Sequence, residues 1–371
     1  MQFVIFTHSL VSDWNHGNAH FLRGIATELV YRGHDVRIFE PEDGWSRQNL
    51  IAQHGESSIA EFEHFYPRIR SSLYDQKSIC LDRYLDGADV VIVHEWNSHE
   101  LVRRIGEYRA LHPTFRLYFH DTHHRSSTDP DAMARYDLCF YDGILAYGGV
   151  IRDLYRLTGW AREAWTWHEA ADTRVFHPQP AARQSGDVVW IGNWGDDERS
   201  NEIREFLIEP VKVLGLKAKV YGVRYPESAL KELRGAGIEY GGWLPNYRVP
   251  EVFAQYKATV HIPRRPYVEC LPGVPTIRPF EALACGIPLI SARWNDAEHL
   301  FRPGVDFLMA RDGDEMSSHL EIVLNDEELA ADIARQGLER IRSRHTCAHR
   351  VDELMDIVND SVAVQMSHGA D

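Results

Sequence analysis

The clearest candidates for chemistry are Arg278 and Glu281, which lie within residues 276–290. Pro279 suits the first turn of a helix and Gly286 suits the left-handed position that ends one. The segment is therefore predicted to form a loop, a short helix, a tight turn and a buried strand. Arg278 and Glu281 would lie near the helix start, whose N–H groups and partial positive charge attract phosphate. Because a carboxylate there suits paired sugar hydroxyls, the segment predicts a site for a sugar–phosphate ligand such as a sugar nucleotide.

Two further positions suggest phosphate binding. Arg264 and Arg265 follow a predicted strand at 258–262. Guanidinium groups match phosphate oxygens bidentately, so at least one of these arginines is predicted to bind a diphosphate. Gly192 lies in a turn after another predicted strand, where the missing side chain lets the backbone approach a phosphate closely.

A second group of polar side chains follows two predicted parallel strands in the first half of the chain. The strand at 88–94 ends in His94, and the strand at 115–119 is followed by His120 and Asp121. Ligands of open α/β sheets lie at the carboxyl ends of strands, so these side chains are predicted to line one crevice. The alternative is that the histidines are hydrogen-bonded structural groups at a domain interface.

This histidine-rich group also raises the question of a metal ion. The residues that could in principle coordinate zinc are His94, His120, Asp121, His123 and His124. Their spacing matches no known metal motif. We therefore expect no metal site and no resident cofactor.

These residues follow predicted strands that alternate with predicted helices. This alternation is typical of α/β folds with a parallel sheet. Gly17 precedes the first predicted helix, where it either lets backbone approach a phosphate or is an ordinary turn glycine. The predicted divisions are an N-terminal domain at 1–178, a polar linker at 179–186, a second domain at 187–350 and a C-terminal helix at 351–371.

Composition narrows the class of protein. The 371 residues suffice for two α/β domains, and contents of 44% hydrophobic and 26% charged residues are typical of a soluble globular enzyme. The net charge of −15 argues against nonspecific binding to nucleic acid or anionic lipid. Five cysteines without a Cys-x-x-Cys motif are predicted to be reduced thiols of a cytoplasmic protein. No apolar run reaches the roughly 18–20 residues of a membrane helix, and the apolar start is predicted to be a strand, not a signal peptide.

The motif Glu-Ala-Leu-Ala-Cys-Gly-Ile-Pro at 281–288 resembles the "EA-x-A-x-G-x-P" segment of GT-B glycosyltransferases. It is closest to the group-1 transferases and their CgeB-like (spore maturation protein) relatives. The resemblance implies two doubly wound, Rossmann-like domains that face each other across a cleft, with the C-terminal helix crossing back to the N-terminal domain. It also implies that Glu281 binds ribose or sugar hydroxyls of a donor and that the helix N-terminus receives the diphosphate.

Shorter matches extend the resemblance over nearly the whole chain. The run Arg-Gly-His-Asp-Val at 32–36 is similar to the same region of group-1 transferases. His120 and Asp121 resemble a family pair whose histidine lies against the transferred sugar, which implies that His120 contacts the sugar and that Asp121 orients it. Trp243 or Leu244 takes the place of the family loop that holds the nucleotide base.

Two positions depart from the family pattern. The acidic residues 196–198 directly follow the glycine turn, where their charges would repel phosphate and Arg199 alone offers compensation. Retaining group-1 enzymes usually carry a glutamate eight positions before the one equated with Glu281, but this sequence has Gly273 there. The sequence therefore leaves both retention and inversion open.

The predicted function is that of a metal-independent glycosyltransferase (hexosyltransferase type, EC 2.4) that moves a sugar from a nucleotide-diphosphate sugar to an unidentified acceptor. The acceptor could be a glycan, a lipid-linked molecule, a protein or a small molecule. The alternatives are a GT-B-fold sugar-nucleotide epimerase and a non-catalytic nucleotide-sugar-binding or structural protein. We expect Glu281→Ala to weaken donor binding and to leave the fold intact.

The candidate residues fall into three sets. The predicted catalytic residues are His120 and Asp121. The predicted donor-binding residues are Glu281, Arg278, Thr276, Arg264, Arg265, Gly192, Asn193, Trp194, Trp243 and Leu244. The candidates on the phosphate or acceptor side of the first domain are Gly17, His16, His20 and His94, and the three histidines are candidate bases if the enzyme inverts.

Overall fold

The chain folds into two compact units in a computed structural model that describes residues 1–180 and 184–368. Unit 1 is Met1–Glu169 together with the chain from Cys347 onward, and unit 2 is Ala170–Thr346. The division lies before the predicted linker at 179–186, and residues 181–183 of that linker lie outside the described residues.

Unit 1 is built on a parallel sheet. Its strands are β1 (Gln2–Phe6), β2 (Asp35–Pro41), β3 (Ser71–Tyr74), β4 (Val90–His94), β5 (Arg116–Asp121), β6 (Gly143–Ala146) and β7 (Ala164–Thr166). Its helices are α1 (Ala19–Tyr31), α2 (Trp45–His54), α3 (Ser57–Phe65), α4 (Leu81–Leu85), α5 (His99–Leu111), α6 (Arg125–Thr128), α7 (Pro130–Met133) and α8 (Gly149–Thr158). The strand order is β3-β2-β1-β4-β5-β6-β7.

The central strands of this sheet are buried on both faces. All five residues of β4 are buried, and β4 pairs in parallel with both β1 and β5. The register places His94 opposite His120, so the two strands end side by side. Continuous apolar runs such as that of β4 are typical of parallel strands covered by helices on both sides.

Unit 2 contains a second sheet. Its strands are β8 (Gly186–Ile191), β9 (Ala218–Tyr221), β10 (Glu239–Tyr240), β11 (Tyr256–His261), β12 (Leu289–Ala292) and β13 (Leu308–Ala310). Its α-helices are α9 (Ser200–Ile203), α10 (Glu209–Leu214), α11 (Glu227–Gly235), α12 (Val249–Phe253), α13 (Arg265–Cys270), α14 (Ile277–Cys285), α15 (Gly313–Asn325) and α16 (Glu327–Arg344). A π-helical turn (Arg204–Ile208) joins α9 to α10, and short 3₁₀ turns occur at Asp196–Glu198 and Asn246–Arg248. The strand order is β10-β9-β8-β11-β12-β13, and the recorded pairings are parallel.

The last helix, α17 (Cys347–His368), belongs to unit 1 and packs against α1. Arg32 at the end of α1 forms an ion pair with Asp352 of α17. The buried indole of Trp167 donates a hydrogen bond to the carbonyl of Arg350 at 2.8 Å. These contacts attach the C-terminal helix to the sheet of unit 1.

The predicted loop, helix, turn and strand at 276–290 are confirmed as α14, its glycine cap and β12. Gly286 has a φ of 65°, the left-handed conformation that ends the helix, and its N–H donates to the carbonyl of Leu283. Both units are doubly wound sheets with helices between parallel strands. The predicted class, two Rossmann-like α/β domains, is therefore confirmed.

Candidate functional site

Unit 2 gathers most of the predicted donor-binding residues at the carboxyl edge of its sheet. The turn at 192–195 follows β8, residues 262–264 follow β11, and α14 begins within the connection from β11 to β12. Because the strands are parallel, these connections emerge at one edge of the sheet.

Glu281 is completely buried, and both of its carboxylate oxygens accept hydrogen bonds from side chains. Arg278, one turn earlier on α14, forms an ion pair with Oε2. The side-chain amide of Asn246 donates to Oε1 at 2.6 Å. A sugar hydroxyl would therefore join an existing network at Glu281. Asn246 was not among the predicted residues, although its place in the polar loop after β10 was a signal for it.

Thr276 links the start of α14 to two strand ends. Its hydroxyl lies 3.0 Å from Nε2 of His261, and Nδ1 of the same imidazole lies 2.9 Å from the hydroxyl of Ser291. Burial, followed by the positive charges of Arg199 and Arg278, lowers the pKa of His261 to about 3. A neutral imidazole thus joins the ends of β11 and β12 to α14, a role that the sequence analysis missed.

Three arginines concentrate positive charge beside this helix start. Arg199 is partly buried, with its guanidinium 5.1 Å from the centroid of the Trp190 ring, and it donates to the carbonyl of Ile262 at 3.1 Å. Burial, then the nearby charges of Arg264 and Arg278, lower the pKa of Arg199 to about 9. Because these guanidinium groups repel one another, an anion bound beside them would be favourable.

Two of the three acidic residues after the glycine turn form ion pairs with arginines of the same unit. Glu198 forms an ion pair with Arg264 at 3.0 Å, and Asp196 forms one with Arg224 at 2.9 Å. The expectation that Arg199 alone compensates these charges is therefore wrong, because Arg264 and Arg224 pair with two of the three carboxylates. Arg265 forms an ion pair with Glu202 at 3.2 Å.

The glycine turn itself is shaped by packing. A Cβ at Gly192 would lie 2.7 Å from the Trp190 ring, so glycine is required there whether or not a phosphate approaches. Asn193 accepts a hydrogen bond from the N–H of Val223 at 2.9 Å. Trp194 is only 5% exposed and is part of the hydrophobic core, so its side chain packs against the sheet.

Trp243 and Leu244 lie after β10, the edge strand of the unit 2 sheet. Both side chains are partly exposed. They directly precede the turn that carries Asn246, the partner of Glu281. This is a place from which an indole or a leucine side chain could cover a planar base.

In unit 1, the carboxyl ends of β4 and β5 bring two carboxyl groups together. Glu95 and Asp121 are both completely buried. Glu95 accepts from the N–H of Thr122 at 3.0 Å and forms an ion pair with Arg125 at 3.1 Å. Burial raises the pKa of both carboxyl groups, and the charge of Asp121 raises that of Glu95 further. Glu95 was not among the predicted site residues.

The predicted pairing of His120 with Asp121 is not observed. Asp121 accepts hydrogen bonds from the hydroxyl of Tyr155 at 3.0 Å and from the N–H of His123 at 3.2 Å. Both ring nitrogens of His120 are buried without a hydrogen-bond partner in the described part of the chain. Successive residues of a strand point to opposite faces of the sheet, which separates the two side chains. Asp121 therefore orients Tyr155 and the backbone of His123, not the ring of His120.

His120 lies in an aromatic environment. Its ring centroid is 4.9 Å from that of Trp167 and 5.9 Å from that of Phe21. It is 5.3 Å from the ring of His94, which lies 3.0 Å from the hydroxyl of Thr122. Burial lowers the pKa of His120 to about 3 and lowers that of His94 well below its usual value. These imidazoles are neutral near pH 7.

The other candidates of unit 1 surround the loop before α1. His16 packs edge-on against His8 at 3.9 Å between ring centroids, and its Nε2 lies 3.1 Å from the carbonyl of Ser9. His20 is buried on α1, whereas Gly17 is exposed in the turn that precedes it. The structure thus adds His8 to the histidine group. Within the described residues, no set of three or more His, Cys, Asp or Glu side chains is arranged to hold a metal ion.

Solved structures with a similar fold identify the fold class of this protein. The chain superposes on Anabaena Alr3699/HepE in complex with UDP and glucose with a TM-score of 0.67 at 15% identity, covering 97% of this chain and 99% of the other. An α-glucosyltransferase in complex with UDP and a 13-mer DNA gives a TM-score of 0.67 at 12% identity, over 97% and 99%. Sucrose-phosphate synthase from Thermosynechococcus elongatus gives 0.65 at 12%, over 98% and 100%. The fold is that of GT-B glycosyltransferases.

The sequence comparison is more specific for the second half of the chain. Residues 199–356 match the family described as "Glycosyl transferase-like". No curated protein matches the sequence at a significant level. The family match and the fold together support a group-1-like glycosyltransferase, and neither of them singles out the CgeB-like branch. Among the described residues, no helix is long and apolar enough to cross a membrane.

Proposed function

We propose that this protein transfers a sugar from a nucleotide-diphosphate sugar to an acceptor without a metal ion. The observation that carries the proposal is the group formed by Arg199, Arg264 and Arg278 beside the N-terminus of α14. Burial, then the charges of Arg264 and Arg278, lower the pKa of Arg199, and a diphosphate would offset the repulsion among these three charges. The same groups would stabilise the negative charge that builds on the leaving group as the glycosidic bond breaks.

The donor would be a UDP-sugar, and its contacts would follow the unit 2 edge. Solved structures of the same fold hold UDP, with glucose in one case. Glu281, held by Arg278 and Asn246, would meet sugar or ribose hydroxyls, and Trp243 or Leu244 would cover the base. In unit 1, the neutral imidazole of His94 is the best placed of the predicted bases, because Thr122 orients its ring at a strand end. His120 would support it through packing.

The cellular compartment and the binding partners are proposed from the cysteines and the net charge. All five cysteines are free thiols, which fits a reducing compartment such as the cytoplasm. The net charge of −15 disfavours a nucleic acid as partner.

A ligand screen tests the donor proposal. Thermal unfolding would be followed with UDP, GDP, dTDP, ADP and CMP and with their sugar conjugates, with and without EDTA. A binder stabilises the folded state by about 2.7 kcal/mol at one hundred times its Kd. We expect UDP and a UDP-sugar to raise the melting temperature, and each shift should be the same with and without EDTA. Loss of the shift in EDTA would contradict metal independence, and no shift from any nucleotide would favour a non-catalytic structural protein.

The diphosphate contact can be tested by one substitution and a matched control. Arg264→Ala should weaken UDP binding by roughly 10- to 100-fold, since a hydrogen bond to a charged group is worth about 1.5–3 kcal/mol. Binding of uridine, which lacks the diphosphate, should not change. Arg234→Ala, which removes an exposed ion pair with Glu227 on α11, should leave both affinities unchanged. Calorimetric titration would measure all three proteins, and equal UDP affinity in Arg264→Ala and wild type would remove the assigned role.

A further inference from the structure

Two exposed indoles lie at the carboxyl edge of the unit 1 sheet. Of the ten tryptophans in the chain, all within the described residues, only Trp45 and Trp96 are more than a third exposed, at 54% and 42%. Trp45 begins α2, which follows β2, and Trp96 follows β4. Large exposed aromatic side chains gathered at one functional edge indicate a binding surface.

The ring of Trp96 is held in place from inside the unit. The guanidinium of Arg125 lies 4.0 Å from the indole centroid, in the range of a cation–π contact. Arg125 is fixed in turn by the buried Glu95, whose carboxylate and carbonyl oxygens both accept from it at 3.1 Å. The guanidinium covers one face of the indole, and the residue as a whole is 42% exposed. The aromatic surface is therefore pre-organised before any ligand binds.

Polar groups border this aromatic surface. The ring of His8 lies 6.0 Å from that of Trp96, and the ring of His123 lies 5.0 Å from it. Nδ1 of His8 is buried and has no hydrogen-bond partner among the described residues. Burial, followed by the charge of Arg125, lowers the pKa of His8 to about 3. A neutral imidazole offers one donor and one acceptor, which matches a hydroxyl group.

We propose that Trp96 is the stacking platform for a neutral saccharide acceptor. A pyranose ring has a face of C–H groups that can lie on an indole, and a rim of hydroxyls that His8 can meet. A polyanionic acceptor is disfavoured by the net charge of −15. This inference rests on the proposed transferase function and names the acceptor class.

The second indole extends the proposal from a single sugar to an oligosaccharide. β2 and β4 lie on either side of β1, so their ends are about 10 Å apart. That separation exceeds the width of one pyranose ring. The ring of Trp45 packs edge-on against Trp14 at 4.9 Å between centroids, which positions it as a second contact for a longer chain.

Direct binding tests the platform without requiring turnover. The full chain, with UDP present, would be titrated calorimetrically with cellobiose, maltose and chitobiose, and with a 13-mer DNA as a non-carbohydrate. We expect at least one disaccharide to bind. Trp96→Ala should weaken that binding about 10-fold, equivalent to about 1.4 kcal/mol, while Trp96→Phe keeps most of it.

A matched control separates the platform from a general effect of removing an aromatic side chain. Phe140 is 46% exposed and precedes β6, at the amino edge of the same sheet. Phe140→Ala should bind the disaccharide as wild type does. UDP should raise the melting temperature of every variant equally, because the donor site lies in unit 2.

Three results would overturn the proposal. They are binding of none of the disaccharides, equal disaccharide affinity in Trp96→Ala and wild type, and Trp96-dependent binding of the DNA. A protein that binds UDP but no saccharide would refute only the platform. A protein that binds a saccharide through Trp96 but no nucleotide would refute only the proposed transfer reaction.

Discussion

Glu281→Ala should lower the free energy of unfolding by about 3–5 kcal/mol and weaken UDP-sugar binding by at least about tenfold. The carboxylate is completely buried, and its removal leaves Arg278 without its carboxylate partner. It also removes the acceptor that Asn246 meets at 2.6 Å. The fold should stay intact, as the sequence led us to expect, but the loss of donor affinity should be accompanied by a loss of stability.

The chain contains a matched control for this prediction. Arg248 and Glu251 form an ion pair at the same three-residue spacing, but Glu251 is 53% exposed. Glu251→Ala should change stability by less than about 1 kcal/mol, because solvent screens exposed pairs. Urea unfolding would measure both variants, and UDP-sugar titration would follow at a temperature where each is folded. Equal free energies of unfolding in the two variants would show that the Glu281 network adds no stability beyond that of an exposed ion pair.

Acidification should destabilise unit 1 strongly between pH 6.5 and 5. His8 and His120 have a folded-state pKa of about 3, and burial lowers the pKa of His16 and His94 well below the usual value. Below pH 6.5 the unfolded chain binds protons at these histidines and the folded chain does not. Stability therefore rises with pH from about 3 to 6.5 and is lost as the pH falls. Each such histidine contributes about 1.4 kcal/mol per pH unit in that window.

The buried carboxyl groups act in the opposite direction. Burial raises the pKa of Glu95 and Asp121, so the folded chain keeps protons that the unfolded chain has lost. Their effect is to lower stability as the pH rises above about 4. Because four histidines oppose two carboxyl groups, we expect a net loss on acidification, on the order of several kcal/mol.

Urea unfolding at a series of pH values would measure this dependence. His120→Phe should fill the space between Phe21 and Trp167 and make the pH profile shallower, since one titrating group is removed. His112→Gln, at an exposed position after α5, should leave the profile unchanged. A free energy of unfolding that is constant from pH 7.5 to 5 would contradict the assignment of neutral buried imidazoles.

The sequence was sufficient for local structure wherever the local signals agree. The prediction for α14 and β12 holds because a proline near the helix start, a glycine at its end and an apolar run after it all indicate one conformation. The apolar run of β4 likewise predicts a strand buried on both faces. In contrast, β3 lacks such an apolar run, because three of its four residues are at least partly exposed and it lies at the sheet edge.

Side-chain partners could not be predicted in the same way. The sequence places Arg264 and Glu198 in different loops, and only the parallel order of β8 and β11 brings them to 3.0 Å. The family resemblance implied that Asp121 orients His120, but the strand turns the two side chains to opposite faces. The burial of Glu281 depends on Asn246, which is 35 residues away in sequence.

By itself, the sequence determined the two parallel α/β units and the places where polar side chains follow strand ends, because both depend on patterns within one or two neighbouring elements. The tertiary structure decided which of those side chains meet. It paired the acidic turn with distant arginines, buried Glu281 in a network and placed Trp96 on the guanidinium of Arg125. These contacts join residues whose separation is set by strand order and register, and no local pattern in the chain encodes that geometry.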